Sequence, residues 1–87
     1  MYDGWAYANG VFTRSFDVTG GTATVRISGG AVSLVSSASR DGYTITQEQP
    51  QPQRLVLKFF KPGGSYTIVD CHWWEGRPYA EVTNLEP

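Results

Sequence analysis

Five glycine-centred turns cut the chain at close to regular intervals: Gly20-Gly21, Gly29-Gly30, Asp41-Gly42, Gly63-Gly64 and Glu75-Gly76. Glycine reaches positive φ without a steric penalty, so a Gly pair or Asp-Gly between alternating runs marks a tight reversal between strands. The runs between these turns alternate apolar and polar residues. Ala23, Val25 and Ile27 face one way while Thr22, Thr24, Arg26 and Ser28 face the other. Phe12, Phe16 and Val18 share a face with Arg14, and Val32 and Leu34 continue the inward set. Tyr43 and Ile45 mark a short strand, Leu55, Leu57 and Phe59 an inward triplet, and Ser65 to Trp74 the longest run. Ala80 and Val82 close the chain, facing inward.

This punctuation predicts an all-β protein of about seven short antiparallel strands, an immunoglobulin-like β-sandwich, with a small β-barrel as the alternative. The apolar residues are rich in Val, Tyr, Phe and Trp, which suits strands. No window carries a 3.6-residue apolar period with helix caps. At 87 residues there is room for one small domain, burying about 60–65% of its unfolded surface. The sandwich is expected over residues 12–87, preceded by an aromatic arm or edge strand over 1–11. If that segment is extended, Trp5 and Tyr7 share one face and Gly4, Ala6 and Ala8 the other. Gln47 to Gln53 (QEQPQPQ) is the low-complexity stretch. Its prolines cannot donate to a ladder, and it is expected to cross between sheets as a solvated loop.

Charge narrows function. The net charge is -1 with scattered bases, which leaves no electrostatic footprint for nucleic acid or an anionic membrane. Arg54, Lys58, Phe59, Phe60 and Lys61 interleave bases with aromatics, but Phe59 belongs to the inner face, so a nucleic-acid platform is disfavoured. No apolar run approaches the roughly 18–20 residues of a membrane span.

The densest chemical cluster is Asp70-Cys71-His72-Trp73-Trp74-Glu75. A cysteine beside a histidine invites a nucleophile and base, but neighbours in a strand point to opposite faces. Cys71 is expected in the core, with no catalysis from the pair. One His and one Cys pointing apart do not make a metal centre, and no Gly pair opens a helix to hold phosphate. Neither cofactor nor metal is expected, and the domain reads as non-enzymatic.

Exposed aromatics are the better lead. With Cys71 and Trp73 inward, Tyr66, Ile68, His72 and Trp74 line the outward face of one strand, a costly surface unless something covers it. The candidate binding residues are therefore Trp5, Tyr7, Tyr66, Ile68, His72 and Trp74. The N-terminal segment, another protein or stacked sugars could supply the cover. The reading favoured is a protein-interaction module. Its alternatives are a carbohydrate-binding module using Trp5, Tyr66 and Trp74, and a subunit that assembles with itself as a homo-oligomer.

The run GGTATVRISGGAVSLVSSASRDGYTI, then RLVLKFF, the strand bearing Cys71 and Gly76-Arg77-Pro78 resembles small extracytoplasmic β-domains of actinobacterial cell-envelope proteins. The likeness spans roughly residues 20–82 and rests on turns and core positions. It implies a compact module beside a membrane anchor, with no established activity and no functional residue to carry over. In that pattern a cysteine often stands where Ile27 stands here and could pair with the one at Cys71. Its replacement removes the disulfide and leaves a cytoplasmic location as the alternative.

Overall fold

The computed structural model describes residues 4–85. They form eight strands: β1 (Ala6–Ala8), β2 (Val11–Val18), β3 (Gly21–Ser28), β4 (Ala31–Ser39), β5 (Thr44–Gln51), β6 (Arg54–Phe60), β7 (Tyr66–Trp74) and β8 (Arg77–Leu85). Strands β1-β2-β3-β4 make one antiparallel sheet and β5-β6-β7-β8 the other. The all-β sandwich expectation holds, with eight strands rather than seven. Each sheet is a meander of chain neighbours, a plainer connectivity than the Greek key of immunoglobulin domains.

The glycine turns close hairpins as predicted except at Asp41-Gly42, which instead carries the chain between the sheets. Gly29-Gly30 has φ 60° and 81° and Glu75-Gly76 has φ 49° and 75°, as has the unforeseen Asn9-Gly10 at 52° and 81°. Positive φ at both central residues is the type I′ geometry, whose twist matches that of the flanking strands. Asn9-Gly10 turns residues 6–8 back onto β2, with Tyr7 opposite Phe12. Residues 6–8 of the N-terminal arm are thereby an edge strand of the first sheet, and residues 1–3 lie outside the described residues.

One expected loop is a strand instead. Residues 47–53 do not cross between sheets; they belong to the β5–β6 hairpin. Glu48 pairs with Val56 and Gln51 with Arg54, so Gln49 and Pro50 fall in a bulge of an edge strand, where proline's missing N–H costs no ladder bond. The Gln49 side-chain amide donates to the Val32 carbonyl at 2.5 Å, and the Val32 N–H donates to the Pro52 carbonyl at 2.9 Å. The segment thus pins β4 to the second sheet. The single crossover lies instead at Asp41-Gly42, where Tyr43 N–H closes on the Arg40 carbonyl at 2.9 Å. Arg40 fixes it, donating to the Val18 and Thr19 carbonyls and pairing with Asp17 at 2.7 Å.

The inner faces meet in one core. Trp5, Phe12, Phe16, Ala23, Val25, Ile27 and Val32 pack against Leu55, Leu57, Phe59, Val69 and Cys71. Where polar groups enter they are satisfied: Thr67 donates to Asn84 at 2.9 Å, and the Tyr43 and Ser65 hydroxyls lie 2.8 Å apart. Along β3 the buried and solvent-facing positions alternate without a break. A bulge in β4 leaves Val35 unpaired and exposed.

Candidate functional site

The two sheets cover each other with similar inner faces, but their outer faces differ. On the first sheet that face is mainly polar: Ser15 and Thr24 hydroxyls sit 3.0 Å apart, and the Ser33 hydroxyl leans on the Arg26 carbonyl. On the second sheet the even-numbered residues of β7 point outward, and cross-strand partners extend them. Tyr66 stacks on Phe60 with centroids 5.7 Å apart, and His72 stacks on Tyr79 at 5.2 Å with rings 12° from parallel. Ile68 lies between them, opposite Lys58 and Thr83. Trp74 ends the row with 58% of its surface exposed.

Two ion pairs close on this face, while Glu81 stands opposite Asp70 and Arg77 opposite Trp74. Arg54 grips Asp70 with two hydrogen bonds, 3.1 Å from Nε and 2.7 Å from a terminal nitrogen, and Lys58 reaches Glu48 at 2.9 Å. Donating to the Asp70 carboxylate raises the Arg54 pKa, and donating to Glu48 raises that of Lys58. The third base of the cluster, Lys61, lies over the Tyr43 ring at 4.9 Å.

The six predicted residues separate into three places. Tyr66, Ile68, His72 and Trp74 share the outer face of β7, as expected, and the described part of the N-terminal segment that might have covered them lies on the other sheet. Tyr7 is 57% exposed and stands beside Phe12 at 4.7 Å. It lines an end cavity of about 600 Å³ with Phe12, Ile27, Trp73 and the glycines of two turns. Trp5 is a correction: only 4% of it is exposed, because it faces the same way as Tyr7 but lies deeper, among the core residues. It cannot act as a stacking surface.

Cys71 and His72 lie on opposite faces, so their side chains do not meet. Burial pushes the Cys71 thiol up from 9.0 to about 12; Arg14 opposes the shift and Asp70 adds to it. Among the described residues, no three His, Cys, Asp or Glu side chains converge to hold a metal ion.

Comparison with known protein families, with curated proteins and with solved structures found no match. The site therefore rests on its own geometry. Two of its aromatics lie outside the binding residues expected from sequence: Phe60, there read only within a basic–aromatic cluster, and Tyr79, which the turn chemistry contained. A two-residue Glu75-Gly76 turn sets Trp74 opposite Arg77 and hence His72 opposite Tyr79. A smaller cavity of about 290 Å³ also opens beside Trp74, lined by Gln51, Gln53, Arg54, Asp70, His72 and Trp73.

Proposed function

We propose that this domain is a non-catalytic protein-interaction module that docks a partner on the outer face of its second sheet. The observation that carries this reading is the asymmetry of the outer faces: hydroxyls on one, two aromatic stacks, Ile68 and an exposed Trp74 on the other. Rigid rings with polar tips give a large contact area at low entropic cost, and such residues dominate binding energies at interfaces. Arg54 and Lys58 are already paired, so the partner surface needed is mainly apolar, with polar groups where Glu81 and Arg77 stand. The likeness of residues 20–82 to envelope domains supports placing the module outside the cytoplasm, as part of a cell-envelope protein.

A carbohydrate platform is less well supported. With Trp5 in the core, Tyr66 and Trp74 remain, eight residues apart on one strand and so separated by about 27 Å. The discriminating experiment is affinity capture from envelope extracts on the immobilised domain. It is run beside a Tyr66→Ser/His72→Ser/Trp74→Ser variant and a Ser15→Ala/Thr24→Ala control. The expected result is a protein partner retained by the wild type and the control and lost by the triple variant. Partner retention by the triple variant, or Trp74 fluorescence responding only to polysaccharides, would overturn the reading.

A further inference from the structure

The edge of the second sheet carries information separate from its face. In an antiparallel strand, the N–H and C=O of one residue point to the same side, and consecutive residues alternate. The Trp73 N–H donates to the Gln53 carbonyl at 2.8 Å, so odd-numbered residues of β7 direct their backbone groups toward β6. The even-numbered ones are aimed at β8. With His72 opposite Tyr79 and Asp70 opposite Glu81, the odd residues of β8 close the ladder. Pro78, Ala80, Val82 and Asn84 therefore send their backbone groups away from the sheet. The position of Pro78 agrees, since its missing N–H falls on the outward side and costs the ladder nothing.

No other edge is so open among the described residues. β1 has three residues. β5 is broken by the bulge at Gln49 and Pro50. On β4, the Val32 N–H and C=O are taken by Pro52 and Gln49. β8 runs for nine residues, and its lone proline stands near the start. Its side chains are undefended as well: Tyr79, Val82 and Leu85 are 38%, 39% and 51% exposed, and within β8 Glu81 is the only charge beyond Arg77. Natural sheets usually blunt an edge of this length with charges, bulges or a covering segment.

Self-pairing about a two-fold axis must set even residues against even residues, because those carry the outward groups. This leaves few registers. Centring on Glu81 opposes two carboxylates. Centring on Ala80 puts Tyr79 against Glu81 of the second copy, and centring on Tyr79 runs Val82 and Leu85 past the strand end while spending a pair on Pro78. Centring on Thr83 sets Leu85 against Glu81 and gives Tyr79 no partner among the described residues. Centring on Val82 does none of these things. It places Tyr79 against the second copy's Leu85 and Glu81 against its Thr83 on the outer face. On the inner face Val82 meets its own copy, and Ala80 meets Asn84. About six backbone hydrogen bonds form, two for each of the three even–even pairs, and all three exposed apolar side chains are covered.

We propose that β8 is a homodimerisation edge, taking β8 of a second copy in antiparallel register centred on Val82. The two copies then share one continuous sheet, to which each contributes four strands. The interface shares Tyr79 with the docking face but leaves Trp74 free, and Val82 lies on the opposite face of the strand, so a Val82 variant lets the two readings fail separately. Sedimentation of the intact domain should show a reversible dimer dissociating between micromolar and millimolar, as small interfaces do. Val82→Glu opposes like charges across the axis and should weaken the dimer at least about tenfold while leaving outer-face capture unchanged. The register is read by Tyr79→Cys/Leu85→Cys. These positions lie about 20 Å apart within one copy, too far for an internal disulfide, but face each other across the axis. This variant should give a covalent dimer under mild oxidation at least about ten times faster than Tyr79→Cys/Thr83→Cys. A wild-type domain that stays monomeric at about 1 mM, a dimer indifferent to Val82→Glu, or equal cross-linking by the two cysteine pairs would overturn the proposal.

Discussion

The two sheets are alike inside and unlike outside. Phe12, Phe16, Val25 and Ile27 on one inner face, and Leu55, Leu57, Phe59 and Val69 on the other, make one core. The fold requires both sets equally. Nothing in sandwich physics requires the second outer face to carry Tyr66, His72, Tyr79 and Trp74 while the first carries serines and threonines. Burial specifies a strand's inward residues; its outward residues are free to record what the surface meets.

The comparison can be broken most sharply in the core. Ile27→Ala and Leu57→Ala come from opposite sheets and are both fully buried, so each should cost about 2–5 kcal/mol. Urea unfolding of the two variants is the measurement. A large loss from one and almost none from the other would mean that the sheets do not share a core.

The same contrast exists within β7, between Cys71 and its neighbours. The thiol ionises near 9.0 when exposed and near about 12 in the fold, so the unfolded chain releases its proton first. Stability from this group is complete below about pH 9 and is lost as pH rises toward 12, by up to about 4 kcal/mol at about 1.36 kcal/mol per unit. Denaturation midpoints from pH 8 to 11 should fall more steeply for the wild type than for Cys71→Ala. Parallel curves would show that the thiol is solvated.

The smallest effect compares two turns. Asn9 and Glu75 hold the same left-handed position in type I′ hairpins of opposite sheets, at φ 52° and 49°. Asparagine tolerates that conformation and glutamate does not, so Glu75→Asn should raise stability by about 0.5–1 kcal/mol and Asn9→Glu lower it by a similar amount. Thermal unfolding would read both, and a gain from Asn9→Glu would refute the turn assignment.

These particulars show what the sequence made legible. The faces of β3, β6 and β7 were readable because a period of two, bounded by glycine turns, leaves no freedom in which way a side chain points. Cys71 and His72 were separated on that ground alone. The β5–β6 hairpin was hidden because Pro50 reads as a strand breaker, and only the bulge that removes it from the ladder reconciles it with a strand. Trp5 was misjudged for a different reason. Alternation paired it correctly with Tyr7, but how deep an aromatic sits depends on what the opposing sheet places above it, which is a tertiary fact. The open edge of β8 lay beyond reach until the ladder parity was known, because backbone direction leaves no mark in the residue pattern.

The lone crossover at Asp41-Gly42 has a consequence for how the protein is made. Every ladder joins strands adjacent in the chain, so the first sheet can assemble during synthesis before any of the second has emerged. Until Leu57, Val69 and Cys71 arrive, that half-sandwich holds Phe12, Phe16, Val25 and Ile27 open to water. Its most hazardous moment is on the ribosome, when a finished sheet waits for its cover and any other sticky surface can take that place.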